Sequence, residues 1–186
     1  TSGGLTTAVA ESFSLNTFAK LNYRFSPKLQ ADAEFQVRNI KYSGSGNDND
    51  LKAIQLHGIE SAEYCNTLKT SHIEIIKVFS IRNEFNFDVL QPYEGIVDYF
   101  LFDTKGELPG GNGYTFDWNV LKDYPSTTSY FLSGGIGFDE VEKLKEFQED
   151  PASKYCYAID VNSKFEIEAG LKNKEELDRF KQKINF

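Results

Sequence analysis

Five short apolar runs recur along the chain from residue 53 onward, and a segment with helical features follows each of them. The run at 73–79 is rich in β-branched residues and does not alternate with polar ones, as expected of a strand buried on both faces. Regular alternation of strands and helices favours a parallel sheet with helical crossovers, so the sequence predicts the α/β class. The predicted strands are 53–57, 73–79, 96–102, 130–133 and 157–161, and the predicted helices are 61–69, 82–90, 117–123, 139–149 and 174–184.

The first 50 residues do not continue this rhythm. Residues 18–25 and 31–38 each alternate apolar and polar side chains on either side of Pro27, which favours a β-hairpin. A helix that begins at Pro27 is the competing interpretation, because apolar residues after it would also share one helical face. Residues 43–50 have the Ser, Gly, Asn and Asp composition of a linker or long turn.

The composition of the 186 residues predicts a single domain and excludes some classes of binding partner. A net charge of -8 argues against nonspecific binding to nucleic acid or to an anionic membrane. No apolar run approaches the ~20 residues of a membrane helix, and the first residues do not have the pattern of a signal peptide. Cys65 and Cys156 have no metal-ligand spacing, so we expect no metal, and two free thiols suit a reducing cytoplasm.

Polar residues or glycines stand where four of the predicted strands end. Each has an ordinary explanation alone, since a histidine there is often structural, an aspartate often caps a helix and a glycine pair often only forms a turn. Because the C-terminal ends of parallel strands lie at one edge, the four together predict a shared ligand site. They are His57, Asp103, Gly134 with Gly135, and Asp160 with Asn162 and Ser163.

Asp103 is the leading catalytic candidate in this set, because a strand of apolar residues delivers its carboxylate to the edge of the sheet. The other end of the site has the features of an anion site. Gly134 and Gly135 let the backbone approach a ligand closely, and the helix from Asp139 points free N–H groups toward them. Asn162 and Ser163 offer a second set of donors.

The order and spacing of five motifs resemble those of the phosphoribosylanthranilate isomerase family. The motifs are Gln55-Leu56-His57-Gly58, Leu101-Phe102-Asp103, Gly110-Gly111-Asn112-Gly113, Leu132-Ser133-Gly134-Gly135 and Asp160-Val161-Asn162-Ser163. The resemblance covers residues 51–186 and implies a (β/α)8 barrel, of which this part supplies strands four to eight. Residues 1–50 are then an atypical N-terminal segment of the same domain.

The resemblance also implies a function. The family converts N-(5-phosphoribosyl)anthranilate, an aminoaldose, into an aminoketose by an Amadori rearrangement in cytoplasmic tryptophan biosynthesis, without a cofactor. Asp103 corresponds to its general acid and His57 to an active-site position. Gly134, Gly135 and Ser163 correspond to its phosphate-binding loops, with Asp160 and Asn162 beside them.

Two features of the chain depart from this family. The family's first strand carries its general base in a Lys-x-Cys-Gly motif, which does not occur in residues 1–186. A non-catalytic phosphosugar-binding α/β module is therefore the alternative. Residues 17–50 instead resemble a strand pair of a TonB-dependent outer-membrane receptor.

Five strand–helix units are fewer than a closed barrel needs. An open parallel sheet leaves unpaired edges and an apolar face uncovered. The sequence therefore predicts self-association into a two-fold homodimer of partial barrels, and completion of a monomeric barrel by further segments is the alternative.

Overall fold

A computed structural model describes residues 21–22, 35–38, 53–69, 73–104, 114–168 and 171–184, with the first two segments described as backbone only. Seven strands form one sheet in which the spatial order follows the chain order. The last five strands are parallel, whereas the first two pair antiparallel with each other and with the third. The strands are β1 (Leu21–Asn22), β2 (Phe35–Arg38), β3 (Ala53–Leu56), β4 (Glu74–Ile81), β5 (Tyr99–Thr104), β6 (Tyr130–Leu132) and β7 (Cys156–Ile159).

The sheet confirms the five parallel strands predicted from the apolar runs, with bounds displaced by up to three residues. Pairing of Leu21 with Val37 confirms the predicted hairpin over the competing helix. Residues 1–16, the predicted linker at 43–50 and the glycines at 110–113 lie outside the described residues.

The described residues form three α-helices and five 3₁₀ helices, which connect the strands or, in the case of the last α-helix, follow them. The α-helices are α1 (Ala62–Leu68), α2 (Val141–Glu149) and α3 (Lys174–Ile184), and the 3₁₀ helices are Phe87–Tyr93, Trp118–Asp123, Phe138–Glu140, Pro151–Tyr155 and Ser163–Phe165. The prediction at 174–184 matches α3, and Ser61 caps α1 as expected, its hydroxyl accepting from Tyr64 N. No helix in the described part of the chain is long and apolar enough to cross a membrane.

The helix predicted at 82–90 is wrong in both position and type. The chain is irregular up to Asn86, whose side chain accepts a hydrogen bond from Asp88 N and starts the 3₁₀ helix Phe87–Tyr93. Pro92 lies inside this helix and has no N–H to continue a ladder of hydrogen bonds. The local capping and the proline therefore outweigh the apolar pattern that suggested an α-helix.

Both faces of the parallel sheet are buried, so the prediction that one apolar face is left uncovered is wrong. One face, which we call the helix-covered face, packs Phe100, Phe102 and Leu132 against residues of α2 and α3. The opposite face packs Ile76, Leu101 and four other buried residues into a second cluster. Burial on both faces explains why the predicted strands do not alternate with polar residues.

A short antiparallel ribbon follows β7 and was not predicted. Its strands are β8 (Glu166–Glu168) and β9 (Leu171–Lys172). They are too short to give a periodic signal in the sequence.

Candidate active site

The two predicted catalytic side chains lie next to each other at the C-terminal edge of the sheet. His57 directly follows β3, and Asp103 stands near the end of β5, with β4 between the two strands. His57 Nε2 is 3.8 Å from Asp103 Oδ2, and the two side chains are 19% and 18% exposed. A ligand can therefore reach a largely desolvated imidazole and carboxylate at one place.

Backbone geometry fixes the direction of the Asp103 carboxylate. Thr104 N donates to Asp103 Oδ1 at 2.9 Å, while Oδ2 faces His57. Successive side chains of a strand point to opposite faces, so Asp103 shares the face of Leu101, and Thr104 lies on the helix-covered face. Asp103 and Thr104 therefore connect the candidate site to the packed helix-covered face of the sheet.

A buried ion pair holds the turn that follows His57. Lys77 Nζ lies 3.1 Å from Glu60 Oε2, and the two side chains are only 3% and 1% exposed. Gly58 N donates to both carboxylate oxygens of Glu60, and Lys77 Nζ donates to Gly58 O at 2.8 Å. Both polar groups of Gly58 are therefore held by the pair, which fixes the chain direction directly after His57.

Sequence reasoning missed this ion pair. The signal was a single lysine in the middle of the apolar run that became β4, where a charge needs a buried partner. In addition, Tyr93 OH donates to the Glu60 backbone oxygen at 2.7 Å. The 3₁₀ helix Phe87–Tyr93 is thus tied to the same turn.

Neither cysteine of the chain is suited to act as a base near neutral pH. Cys65 is fully buried in α1, and burial raises the pKa of its thiol to about 11. Burial also raises the pKa of the Cys156 thiol to about 12, and this residue begins β7, at the end of the strand away from the site. Since the thiolate is the reactive form, both groups are inactive as bases at neutral pH.

The glycine pair at the end of β6 packs against protein backbone. Gly134 and Gly135 have φ values of 95° and 68°, in the region that favours glycine. A Cβ at Gly134 would lie 2.5 Å from Thr104 N, and one at Gly135 would lie 2.5 Å from the Tyr114 carbonyl carbon. The sequence predicted that glycine lets a ligand approach here, but the atoms that a side chain would strike belong to the last residue of β5 and to the chain that follows it.

The two loops predicted to bind an anion lie side by side. A Cβ at Gly137 would lie 3.1 Å from Lys164 Cβ, so the turn before α2 touches the turn after β7. Gly137 N donates to Glu140 Oε2 at 2.7 Å. One backbone donor expected to face an anion is therefore already held by a carboxylate of the same turn.

The three predicted residues after β7 differ in their surroundings. Asp160 is 4% exposed and accepts a hydrogen bond from Ser133 Oγ at 2.9 Å, so it ties the end of β7 to the end of β6. Asn162 and Ser163 are exposed at the start of the 3₁₀ helix. Lys172 of β9 contacts the Asn162 amide oxygen and the Glu166 carboxylate, and these contacts stabilise the turn after β7.

Across the described segments, no group of three or more His, Cys, Asp or Glu side chains could hold a metal ion.

Comparison with known proteins identifies relatives over most of the chain. The family described as N-(5'-phosphoribosyl)anthranilate (PRA) isomerase matches residues 43–183. The N-(5'-phosphoribosyl)anthranilate isomerase of Parabacteroides distasonis is 44% identical over 134 residues, which are 72% of this chain and 59% of that protein. The chain therefore spans about three fifths of the length of this relative.

Solved structures agree with this similarity. The phosphoribosyl anthranilate isomerase of Thermotoga maritima superposes with a TM-score of 0.57 at 30% identity, over 73% of this chain and 62% of that one. A phosphoribosyl anthranilate isomerase in complex with reduced 1-(o-carboxyphenylamino)-1-deoxyribulose 5-phosphate gives a TM-score of 0.53 at 26% identity, over 73% of this chain and 60% of that one.

The comparisons do not support one prediction about the N-terminal part of the chain. The resemblance of residues 17–50 to a TonB-dependent receptor finds no support, and the family match already begins at residue 43. Alternation of apolar and polar residues is shared by every half-exposed antiparallel strand, so it does not distinguish a membrane barrel from the hairpin of β1 and β2.

Proposed function

Because the chain belongs to the phosphoribosylanthranilate isomerase family, we propose that it acts in the Amadori rearrangement of N-(5-phosphoribosyl)anthranilate to the aminoketose, a step of tryptophan biosynthesis. We infer that β3 to β7 correspond to strands four to eight of the family's (β/α)8 barrel. The observation that carries the proposal is the His57–Asp103 pair at the C-terminal edge of the sheet, beside the Gly134–Gly135 loop.

The rearrangement needs an acid and a base. In our proposal Asp103 donates a proton to the ribose ring oxygen as the bond between that oxygen and C1 breaks, and the nitrogen lone pair forms a C1–N double bond. A base then removes the proton from C2, and the resulting enolamine takes up a proton at C1 while its C2 hydroxyl loses one, which gives the ketone at C2. No atom is gained or lost, so the reaction requires no co-reactant.

His57 supports the position of the substrate rather than acting as the acid. At 3.8 Å its Nε2 is beyond direct hydrogen-bond distance of Asp103 Oδ2. A substrate hydroxyl that approaches from the exposed side can therefore contact both groups. This arrangement orients the sugar ring against the carboxylate that protonates it.

The phosphate group is proposed to bind where the two neighbouring loops meet. Gly134, Gly135 and Ser163 offer backbone donors there, and Asn162 lies beside them. Backbone donors suit an anion in a protein of net charge -8, because they add no side-chain charge of their own. We assign Asp160 to support this edge through Ser133.

The general base is not assigned to a described residue. Cys65 is buried in α1 and Cys156 begins β7 at the end away from the site, so neither thiol is assigned as the base, and the second candidate function is a phosphosugar-binding module without turnover. We further propose that the protein is cytoplasmic and forms a homodimer. A solved structure from Thermotoga maritima is described as generated monomers of a dimeric phosphoribosylanthranilate isomerase.

Two measurements separate these functions. Turnover is followed through the loss of anthranilate fluorescence, and binding through calorimetric titration with reduced 1-(o-carboxyphenylamino)-1-deoxyribulose 5-phosphate. An isomerase shows turnover that Asp103→Asn reduces by at least about 100-fold, the scale of general acid catalysis. A binding module binds the analogue without turnover, and absence of binding contradicts both functions.

Asp98→Asn is the matched control for Asp103→Asn. Asp98 directly precedes β5, and its carboxylate accepts a hydrogen bond from Ile75 N at 2.8 Å. It therefore stands at the opposite end of the same strand from Asp103. The control should lose some stability and leave analogue affinity unchanged.

A further inference from the structure

Thr104 makes three polar contacts at the end of β5, beside the proposed acid. Its backbone N donates to Asp103 Oδ1 at 2.9 Å. Its hydroxyl oxygen accepts from Phe116 N at 3.1 Å and donates to Gly134 O at 3.4 Å. The residue is only 7% exposed, so water cannot readily replace these partners.

The contacts of Thr104 are reinforced by close packing of backbone. The Gly134 and Gly135 positions have no room for a side chain, because Thr104 and Tyr114 occupy the space. Three segments therefore meet here, namely the end of β5, the chain at 114–116 and the glycine pair. We call this meeting point the Thr104 clasp.

Lys143 of α2 also contacts one of the three segments of the Thr104 clasp, the chain at 114–116. Its Nζ donates to Thr115 Oγ1 at 2.9 Å and to Phe116 O at 3.2 Å, and lies 4.1 Å from the centre of the Trp118 ring. Burial lowers the pKa of this amine. The chain at 115–116 is thus attached both to β5 and to the helix that follows the Gly134–Gly137 turn.

We propose that Thr104 is a positioning residue that couples the Asp103 carboxylate, held by its backbone N–H, to the Gly134–Gly135 loop, held by its hydroxyl. Its role rests on the proposed function, in which Asp103 and this loop hold opposite ends of one phosphorylated sugar. Thr104 itself is turned toward the helix-covered face and acts through the two groups it connects. Removal of the hydroxyl should disturb both ends of the site together.

Thr104→Val and Thr104→Ser form the decisive pair of variants. Valine keeps the branched shape but has no hydroxyl, whereas serine keeps the hydroxyl. Thr128→Val is the matched control, because the Thr128 hydroxyl also makes a hydrogen bond, to Glu94 Oε2 at 2.8 Å, away from the clasp. The three variants separate the loss of this hydroxyl from the loss of a hydrogen-bonding threonine hydroxyl elsewhere in the chain.

The first readout needs no ligand. Hydrogen exchange of the Phe116 amide should accelerate at least about tenfold in Thr104→Val, because its acceptor is gone. The carboxyl carbon signal of Asp103 and the amide signal of Gly134 should shift in the same variant. Thr104→Ser and Thr128→Val should leave all three signals as in the unsubstituted protein.

The second readout is affinity for reduced 1-(o-carboxyphenylamino)-1-deoxyribulose 5-phosphate. Thr104→Val should weaken it at least about tenfold, and Thr104→Ser should restore it to within about threefold. If exchange accelerates while the Asp103 signal and the affinity stay unchanged, the hydroxyl is only structural and the proposal is overturned.

Unchanged Phe116 exchange overturns the clasp itself. If the unsubstituted protein does not bind the analogue, the proposed function fails. In that case the shifts of the Asp103 and Gly134 signals in the ligand-free Thr104→Val variant decide whether Thr104 couples these two residues.

Discussion

Replacement of Lys77 by Met should lower the free energy of unfolding far more than the same replacement of an exposed lysine that lies equally close to its own carboxylate partner. Lys77 Nζ lies 3.1 Å from a Glu60 carboxylate that is 1% exposed, and Met leaves that carboxylate without its cation. Removing one partner of a buried pair costs about 3–5 kcal/mol, because the remaining charge is desolvated and uncompensated. Since small domains unfold at about 5–15 kcal/mol, a large part of the total stability should be lost.

Lys122→Met is the matched control for this substitution. Lys122 Nζ lies 3.0 Å from Asp150 Oδ2, nearly the same separation, but the two side chains are 50% and 26% exposed. An exposed pair contributes only about 0–1 kcal/mol. The difference between the two variants therefore isolates the effect of burial.

The free energy of unfolding of both variants is measured by urea denaturation with circular dichroism as the signal. Urea is used because it does not screen charges as a guanidinium salt does. A second variant, Lys77→Met with Glu60→Gln, removes the orphaned charge and should recover at least about 1 kcal/mol. If Lys77→Met costs no more than Lys122→Met, the pair is not desolvated as described. The account of the turn after His57 would then be refuted.

Three further expectations follow from burial, backbone geometry and the unpaired edge of the described sheet. Cys65 should react with a thiol reagent at pH 8 only on unfolding, because it is fully buried and a pKa of about 11 leaves about one thousandth of it as thiolate; rapid labelling in the folded state would contradict this. Gly135→Ala should cost at least about 1 kcal/mol more than Gly95→Ala in urea, because both residues have positive φ (68° and 72°) but only Gly135 lacks space for a Cβ; equal losses would show that the contact with Tyr114 is not tight. Light scattering at micromolar concentration should give twice 21.1 kDa, and a single-chain mass would remove the homodimer.

The parallel strands and the two catalytic candidates could be predicted because their signals are local. Apolar runs of strand length locate β3 to β7, and the polar residue at the end of each run locates His57 and Asp103. The α3 helix matched because its buried residues Phe180 and Ile184 recur at helical spacing. Such patterns depend only on neighbours along the chain.

The supporting contacts could not be predicted in the same way. The apolar run around Lys77 indicates a buried charge, but Glu60 lies 17 residues earlier and nothing in the sequence identifies it as the partner. The reason for Gly134 was also hidden, since it depends on Thr104, which lies 30 residues earlier. These features arise from tertiary packing, which overrides local preference.

A crystal structure of the protein with reduced 1-(o-carboxyphenylamino)-1-deoxyribulose 5-phosphate tests the central claim most directly. We predict the phosphate at the backbone N–H groups of Gly134, Gly135 or Ser163, and a sugar oxygen within hydrogen-bond distance of Asp103 and His57. The analogue bound elsewhere, or bound with its phosphate away from both loops, would contradict the assignment of this edge of the sheet as the active site.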